Sequence, residues 1–390
     1  MKILLLWPIF HPTPTAAAIR GEAFARHLAA RDNRVLVITP QKDSVSRPNQ
    51  YEGFTVKRMR TYDSLSEKHG FVTSSMVSPF LLPAMRREIR SFQPDLIIAS
   101  SPAPFLALEG FLSSRAQRIP FVYDMRDSWR QEQYTHRGVL RNWTKRAIER
   151  WLCREADLVF CISDSMSKST ISEYGLPSQK VKVVTNGTEP LREVVEPPKK
   201  EYDLVFSGYP AEYRNIPELL KGIAVASKAM HIRMLCLGWK ESPQEGELRT
   251  MLRELGIEEN VDLCPPVSHD QVARELSRAR FGVTSLSGDI SLASAIGTKT
   301  YEYLAAGLPV ACLSPFPESE LRDFVMNNQI GFYSRNAERF ARDLVSLLTN
   351  EEETARMRRN AREVSIRYYW KSIVDRAFDD YLSIYGGSRR

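Results

Sequence analysis

Short apolar runs alternate with longer segments of helical period along the N-terminal half of the chain. The first run, at residues 1–10, is followed by an amphipathic stretch with Phe24 and Leu28 on one face, and then by an apolar run at 35–38. Continuous apolar runs separated by helical crossovers are typical of a parallel sheet covered on both faces. We therefore predict strand, helix, strand at the start of the chain rather than a cleaved leader. Further strands are predicted at 96–99, 121–123, 158–160 and 181–184.

A polar, Pro-rich segment at residues 193–200 interrupts this alternation, which then restarts. Such a segment is typical of a linker, and it predicts two Rossmann-like domains, at 1–190 and 200–369. In open α/β sheets ligands bind at the carboxyl ends of the strands, so we expect the two parallel sheets to face each other across a cleft. The second domain has predicted strands at 204–206, 233–237, 261–263, 281–283 and 309–312, and predicted helices at 217–229, 245–255, 270–279 and 299–306.

Composition excludes several classes of protein. The chain has 390 residues, of which 43% are hydrophobic and 26% charged, so disordered and fibrous classes are excluded. No apolar run approaches the roughly 20 residues that a membrane-spanning helix needs. Five cysteines without C-x-x-C spacing and six dispersed histidines predict neither a zinc site nor a disulfide framework. We expect a reducing, cytoplasmic location.

Positive charge is concentrated in the N-terminal half. The net charge is +7, with +9 in residues 1–190 and −2 in the remainder. The segment 138–154 combines five basic residues with Trp143 and Trp151. Two interpretations are open: a helix that lies on an anionic membrane surface, and an ordinary amphipathic helix packed on the sheet. A nucleic-acid partner is not expected, because no recognition module is present.

The stretch 294–310 is the most informative one for chemistry. A loop containing Gly297 leads into a short predicted helix that ends at Gly307. Backbone N–H groups in the first turn, together with Lys299, are suited to holding an anion. Glu302 has two interpretations: a carboxylate that accepts hydrogen bonds from sugar hydroxyls, or one that only complements the helix dipole. The G-x-G-x-x-G and P-loop patterns are absent, which argues against an NAD enzyme and a P-loop NTPase.

This stretch resembles the C-terminal signature of family 4 glycosyltransferases, which have the GT-B fold. The matching positions are Gly297, Glu302, 305–307 and 309–310. The first glutamate of the family's Glu-x7-Glu motif falls at Ser294. A bacterial surface-polysaccharide subgroup is similar in keeping only the second glutamate, with a lysine three residues before it. The resemblance implies that Glu302 holds the nucleotide ribose and that Ser294 lies near the donor sugar. It also implies that the diphosphate is held by Gly297, Thr298, Lys299 and Thr300.

A second element resembles the family's phosphate-binding Gly-Arg-x4-Lys sequence. Gly208 follows a predicted strand, and Arg214 comes six residues later. Tyr209 occupies the family's arginine position, so one of the two cations is kept. A guanidinium can contact phosphate oxygens in a bidentate manner. The resemblance implies that Gly208 and Arg214 bind the nucleotide sugar; a plain surface arginine is the alternative.

The N-terminal domain has a charged run just past a predicted buried strand. Asp124, Arg126 and Asp127 lie within seven residues that end at Trp129. Charges at a buried strand end are costly unless they are paired or used. The subgroup has a similar Asp-x-Arg-Asp-x-Trp run, which makes these three the catalytic candidates, with one carboxylate orienting or deprotonating an acceptor hydroxyl. A salt-bridged loop anchor is the alternative, above all for Asp124.

The resemblance as a whole implies a GT-B enzyme with a C-terminal helix, at about 370–390, that returns to the N-terminal domain. It implies a retaining transfer of a hexosyl or N-acetylhexosaminyl group from a nucleotide-diphosphate sugar, such as a UDP-sugar. The acceptor would be a hydroxyl of a glycan or lipid-linked molecule, at the inner face of the plasma membrane. Neither a metal nor another cofactor is expected. Two alternatives remain: a GT-B nucleotide-sugar epimerase, and a non-catalytic two-domain binding protein.

Overall fold

The structure, a computed structural model, consists of two compact units. The first unit comprises Met1–Thr185 and Trp370–Arg390, and the second comprises Asn186–Tyr369. The C-terminal residues 370–390 thus belong to the first unit. The boundary between the two units, at residues 185 and 186, lies a few residues before the polar linker. The described residues are 1–11, 15–40, 49–59, 83–101, 104–126, 139–191, 200–294 and 296–386.

Strands and helices alternate through both units, as the apolar pattern predicts. The described strands are β1 (Lys2–Leu6), β2 (Arg34–Pro40), β3 (Gln50–Tyr51), β4 (Phe54–Met59), β5 (Leu96–Ser100), β6 (Phe121–Met125), β7 (Leu158–Cys161), β8 (Val181–Val183), β9 (Tyr202–Ser207), β10 (Met234–Leu237), β11 (Val261–Cys264), β12 (Ala279–Ser285), β13 (Val310–Leu313) and β14 (Gly331–Ser334). Strands β3, β4 and β14 were not predicted, because they are short or alternate with polar residues.

The helices have bounds close to those predicted in the second unit. The described helices are α1 (Ala16–Ala29), α2 (Pro104–Gln117), α3 (Val139–Glu155), α4 (Asp164–Tyr174), α5 (Ile216–Ser227), α6 (Glu245–Leu255), α7 (His269–Ser277), α8 (Thr298–Ala305), α9 (Glu320–Asn327), α10 (Ala337–Leu348), α11 (Glu351–Ile366) and α12 (Trp370–Tyr385), and residues 83–92 are also helical.

The first unit contains a sheet with the strand order β3-β4-β2-β1-β5-β6-β7-β8. Its described strands pair in parallel, except for the antiparallel pair β3 and β4 at one edge. Strand β1 lies between β2 and β5, and its residues 3–6 are fully buried. The predicted N-terminal strand is therefore confirmed as a central one. Helix α12 packs on α1, with Trp370 and Phe378 in the same apolar cluster as Phe24.

The second unit has an entirely parallel sheet with the order β11-β10-β9-β12-β13-β14. From β9 the chain first builds outward through β10 and β11, and then returns to place β12 on the other side of β9. The strand order therefore reverses between β9 and β12. At such a switch point the two connections leave in opposite directions and open a crevice beyond the carboxyl ends of the strands. Both parallel sheets of the predicted α/β architecture are confirmed.

A buried ion pair connects four elements of the first unit. Arg20 of α1 and Asp124 of β6 both have 0% exposed side chains, and Arg20 Nη2 lies 2.7 Å from Asp124 Oδ1. Arg20 Nε and Ser100 Oγ both donate to Oδ2, at 3.1 and 2.8 Å. The guanidinium also donates to the carbonyl oxygens of Val184 and Thr185, at 2.9 and 2.7 Å. Helix α1, strands β5 and β6 and the segment after β8 are thereby held together.

The ion pair decides between the two interpretations of Asp124. Each carboxylate oxygen already accepts a charge-assisted hydrogen bond, and none of the side chain reaches the surface. Burying a carboxylate is tolerable only with such partners. Asp124 is therefore a loop anchor, and the expected catalytic role for it is corrected: its carboxylate is not open to an acceptor.

We predict that Arg20→Met lowers the free energy of unfolding of the first unit by roughly 3–5 kcal/mol, because Asp124 is then left buried without its charged partner. Calorimetric unfolding of the full chain measures this. Arg26→Met is the matched control on the same helix: Arg26 pairs with Glu22 with half of its side chain exposed, so we expect a loss below about 1 kcal/mol. Equal losses in the two variants would contradict the prediction.

Candidate functional site

The site begins where strand β9 ends, at the switch point of the second sheet. Gly208 has a φ of +114°, a conformation that side chains with a Cβ rarely adopt. A Cβ at this position would also lie 3.2 Å from Arg214 Nη2. The missing side chain therefore lets a guanidinium rest directly on the backbone. Trp239, after β10, fixes the same peptide because its Nε1–H donates to the Gly208 carbonyl at 3.0 Å.

Arg214 is half-buried, and aromatic side chains hold its guanidinium. It ends the short 3₁₀ turn Glu212–Arg214. Its guanidinium carbon lies 5.3 Å from the ring centres of both Phe206 and Tyr213, and its Nε–H donates to the Tyr213 hydroxyl at 3.3 Å. No carboxylate in the described ranges pairs with it. A half-buried guanidinium with unpaired Nη groups is suited to an anionic ligand.

Helix α8 is fixed to the same point by a tyrosine hydroxyl. Tyr303 Oη accepts a hydrogen bond from the N–H of Ser207, at 2.9 Å, and donates to the carbonyl of Val283, at 3.1 Å. Its ring packs on Gly282, where a Cβ would lie 2.3 Å from a ring atom. Burial raises the pKa of Tyr303, so the hydroxyl stays protonated and keeps its donor role. The helix that carries Glu302 is thereby fixed beside Gly208.

Lys299 and Glu302 form an ion pair on α8. The ammonium nitrogen lies 2.9 and 3.1 Å from the two carboxylate oxygens. The Glu302 side chain is 8% exposed and that of Lys299 is 31% exposed. The lysine compensates the burial of the carboxylate, while the remaining lone pairs of Glu302 can accept hydroxyl groups. The pair thus combines an acceptor and a cation at one point.

The start of α8 presents further donors. Gly297 is the N-cap residue, and the N–H groups of Thr298 and Lys299, in the first turn of the helix, lie at the positive end of the helix dipole. Thr300 differs: its N–H donates to the Gly297 carbonyl at 3.0 Å, and its fully buried hydroxyl lies 3.2 Å from that of Thr284. Thr300 therefore anchors α8 to β12, which corrects its expected place among the diphosphate-binding groups.

The loop between β12 and α8 connects the two motifs. The N–H of Ser287 donates to the carbonyl of Tyr213 at 2.8 Å, so this loop is docked on the turn that carries Arg214. Ser294, half-buried, ends the 3₁₀ turn Ile290–Ser294 of the same loop. The residues predicted from the two motifs are therefore collected at one edge of one sheet: Gly208, Arg214, Ser294, Gly297, Thr298, Lys299 and Glu302.

The three catalytic candidates of the first unit do not share one environment. Asp127 lies outside the described residues. Arg126 comes directly after β6, and its backbone N–H donates to Ser101 Oγ at 2.8 Å. Its side chain is half-buried. Asp124 belongs to the buried ion pair.

The described part of the chain has neither a cluster of metal-ligating side chains nor a membrane-spanning helix. There, no group of three or more His, Cys, Asp or Glu side chains is arranged to hold a metal ion. All five cysteines are free and four of them are buried. No helix of the described ranges combines the length and the apolar character needed to cross a bilayer.

Three aromatic residues that build this edge were not identified from the sequence. They are Tyr213, Trp239 and Tyr303, each of which forms a hydrogen bond with a motif residue or with a strand end. A buried tyrosine or tryptophan normally requires such a partner. Tyr303 directly follows Glu302, but its partners lie on strands 20 and 96 residues away, so no local pattern indicates its role.

Solved structures resemble the whole chain in fold. A sucrose-phosphate synthase from Thermosynechococcus elongatus superposes with a TM-score of 0.76 at 15% identity, covering 99% of this chain and 100% of that one. Anabaena HepE in complex with UDP also has a TM-score of 0.76, at 16% identity, covering 98% of this chain and 100% of that one. At such identities the likeness shows the fold, which is GT-B.

A curated relative matches part of the chain. It is a GDP-Man:Man(3)GlcNAc(2)-PP-Dol alpha-1,2-mannosyltransferase of Dictyostelium discoideum, 28% identical over 123 residues. The match covers 31% of this chain and 23% of that enzyme, so the chain spans about a quarter of its length.

Two family models account for most of the sequence. The model "Glycosyltransferase Family 4" matches residues 22–192, and the model "Glycosyl transferases group 1" matches residues 187–364. The first includes Asp124 of the buried ion pair and begins two residues after Arg20, and the second includes every motif residue of the site. The chain is therefore a glycosyltransferase and belongs to family 4, with the GT-B fold that the motif resemblance implied.

Proposed function

We propose that this glycosyltransferase transfers a hexosyl or N-acetylhexosaminyl group from a UDP-sugar to a hydroxyl of a glycan or lipid-linked acceptor, with retention of anomeric configuration. The observation that carries the proposal is the switch-point site, where a guanidinium that has no carboxylate partner among the described residues, a lysine–glutamate pair and the first N–H groups of a helix share one edge. That combination matches a nucleoside diphosphate, which presents hydroxyls at the ribose and anionic oxygens beside it.

Each group of the site has a role in donor binding. The carboxylate of Glu302 accepts hydrogen bonds from the ribose hydroxyls. Arg214 takes phosphate oxygens through its two Nη groups, and Lys299 and the N–H groups of Thr298 and Lys299 take the others. Ser294 lies near the donor sugar, where the family's first glutamate would be.

The same groups serve the chemical step. When the bond between the sugar and the diphosphate breaks, negative charge develops on the departing phosphate oxygens. Donors that are already in place stabilise that charge more in the transition state than in the ground state. We infer that Arg214, Lys299 and the helix N–H groups do this without a metal ion or another cofactor. From the family resemblance, we propose that Asp127, which follows Arg126 in the sequence, orients the acceptor hydroxyl.

Two relatives support the choice of donor and acceptor. Anabaena HepE was solved with UDP, which favours a UDP-sugar. The matched Dictyostelium enzyme acts, by its name, on a dolichol-diphosphate-linked glycan, which favours a lipid-linked acceptor; its name gives GDP-Man as the donor, so GDP is the competing base in the donor screen. The epimerase and the non-catalytic binding protein are not favoured, because both matching family models describe glycosyltransferases.

A lipid-linked acceptor would place the enzyme at a membrane surface, and helix α3 is suited to that position. Trp143 is 67% exposed and Trp151 is 39% exposed, while Arg150 and Arg154 are exposed on the same helix. Aromatic rings that enter the headgroup layer, together with cations that attract anionic lipids, produce reversible peripheral binding. We propose that α3 contacts the inner face of the plasma membrane.

The donor is identified by a thermal-shift screen against UDP, GDP, ADP and CMP. We expect UDP to raise the unfolding temperature most, because a ligand at 100 times its Kd stabilises the native state by about 2.7 kcal/mol. The matching UDP-sugar is then used in a transfer assay with EDTA present. NMR of the product should show the donor's anomeric configuration. Inversion, loss of transfer with EDTA, or a preference for GDP would each contradict the corresponding part of the proposal.

Two variants test the binding roles. Arg214→Ala and Glu302→Ala should each raise the Kd for UDP by about tenfold or more, since each removes a charged hydrogen-bond partner worth roughly 1.5–3 kcal/mol. Isothermal titration calorimetry measures the Kd. Glu353→Ala is the matched control, because Glu353 also pairs with a basic residue three positions away, Arg356, but on α11. Wild-type affinity in both site variants would show that the site is misplaced.

The membrane proposal is tested by flotation with vesicles. We expect the full chain to bind vesicles containing phosphatidylglycerol and not pure phosphatidylcholine, and Trp143→Ala and Arg150→Glu each to reduce binding several-fold. Arg253→Glu, an equal charge reversal at an exposed position on α6 of the second unit, should leave binding nearly unchanged. Equal losses for Arg150→Glu and Arg253→Glu would indicate a general charge effect and contradict a specific role of α3.

A further inference from the structure

Tyr213 is an exposed aromatic residue at the edge of the candidate site. Its side chain is 46% exposed, although its ring lies beside the guanidinium of Arg214 and its hydroxyl accepts the Nε–H of that residue. A surface tyrosine usually has no fixed partner. Here the ring and the hydroxyl both contact the one cation of this edge that has no carboxylate partner among the described residues.

The contacts of Tyr213 determine which nitrogens of Arg214 remain available. The Tyr213 hydroxyl accepts the hydrogen bond from Nε–H, and the ring centres of Tyr213 and Phe206 each lie 5.3 Å from the guanidinium carbon. The two Nη groups are therefore directed away from these partners, beside the backbone of Gly208. Holding a long side chain in one orientation before the ligand arrives reduces the entropy that binding would otherwise lose.

The backbone fixes Tyr213 in turn. Its carbonyl accepts the N–H of Ser287 at 2.8 Å. Asn215, two residues later, has a φ of +45° and comes directly before helix α5. The Ser285 hydroxyl lies 3.5 Å from the Asn215 carbonyl. The turn is thus attached on one side to α5 and on the other to the loop after β12, so the ring has a defined position.

We propose that Tyr213 is a positioning residue that orients the guanidinium of Arg214 for the donor diphosphate. This inference rests on the proposed function, in which Arg214 binds phosphate oxygens. Tyr209 stands where the family resemblance places a second cation, so Arg214 carries that charge alone on this turn. Its orientation therefore matters more than it would beside another arginine.

The test compares UDP with uridine, which lacks the diphosphate. Tyr213→Ala removes both the ring and the hydroxyl and should raise the Kd for UDP about 5- to 20-fold, while Tyr213→Phe keeps the ring and should raise it about 2- to 5-fold. The Kd for uridine should stay unchanged in both variants. Tyr202→Phe is the matched control: Tyr202 also lies beside an arginine, Arg233, and its hydroxyl donates to Asp262, but at the opposite end of β9.

A double-mutant cycle with Arg214→Ala separates positioning from a direct contact. If Tyr213 acts through Arg214, then Tyr213→Ala should have no further effect on UDP binding in the Arg214→Ala background. Additive effects of the two substitutions would overturn the proposal, and so would an equal loss of uridine affinity in Tyr213→Ala.

The outcomes also separate this inference from the one it rests on. If Arg214→Ala weakens UDP binding and Tyr213→Ala does not, the role of Tyr213 is overturned while the proposed function stands. If UDP binds as tightly to Arg214→Ala as to the unaltered protein, the phosphate-binding role of Arg214 is overturned, and the role of Tyr213 with it.

Discussion

The hydroxyl of Tyr303 joins the two strands between which the order of the second sheet reverses. It accepts the N–H of Ser207 at the end of β9 and donates to the Val283 carbonyl in β12. Because Tyr303 is part of α8, these two bonds also fix the helix that carries Lys299 and Glu302. These two bonds therefore fix the position of the helix after β12 relative to the glycine–arginine turn after β9. The bond to Val283 needs a protonated phenol, and burial, which raises the pKa of Tyr303, keeps the proton on the oxygen.

Charge is arranged differently in the two units, and burial explains the difference. In the first unit, Arg20 and Asp124 are fully buried and saturated by each other and by neighbouring backbone and hydroxyl groups. Such a pair holds elements in register, and it leaves no capacity for a ligand. In the second unit, the Lys299 side chain is partly exposed to solvent, and the described partners of Arg214 are aromatic rather than acidic. These two cations can therefore bind an anionic ligand with only a small loss of solvation.

The site depends on close approach as much as on charge. Gly208 lets the Arg214 guanidinium rest against the strand end, and Gly282 lets the Tyr303 ring lie on β12. A larger residue at either position would push away the group that gives the site its geometry. The departures from the family motifs at Ser294 and Tyr209 have a different character, since both change the chemistry of the side chain.

Local pattern determined the architecture of this protein, because an apolar run between helical segments has few arrangements other than a buried parallel strand. It also indicated Lys299 and Glu302, since charges at a helix start have local physical roles, whereas Gly208 and Arg214 were predicted from the resemblance to a family motif. What the sequence left open was decided by contacts over long separations. Asp124 became an anchor because Arg20, 104 residues away, reaches it, and Thr300 faces Thr284 rather than a ligand. Tyr303 and Tyr213 acquired their roles only when folding brought the ends of β9 and β12 together, and no local pattern encodes which distant atoms will meet.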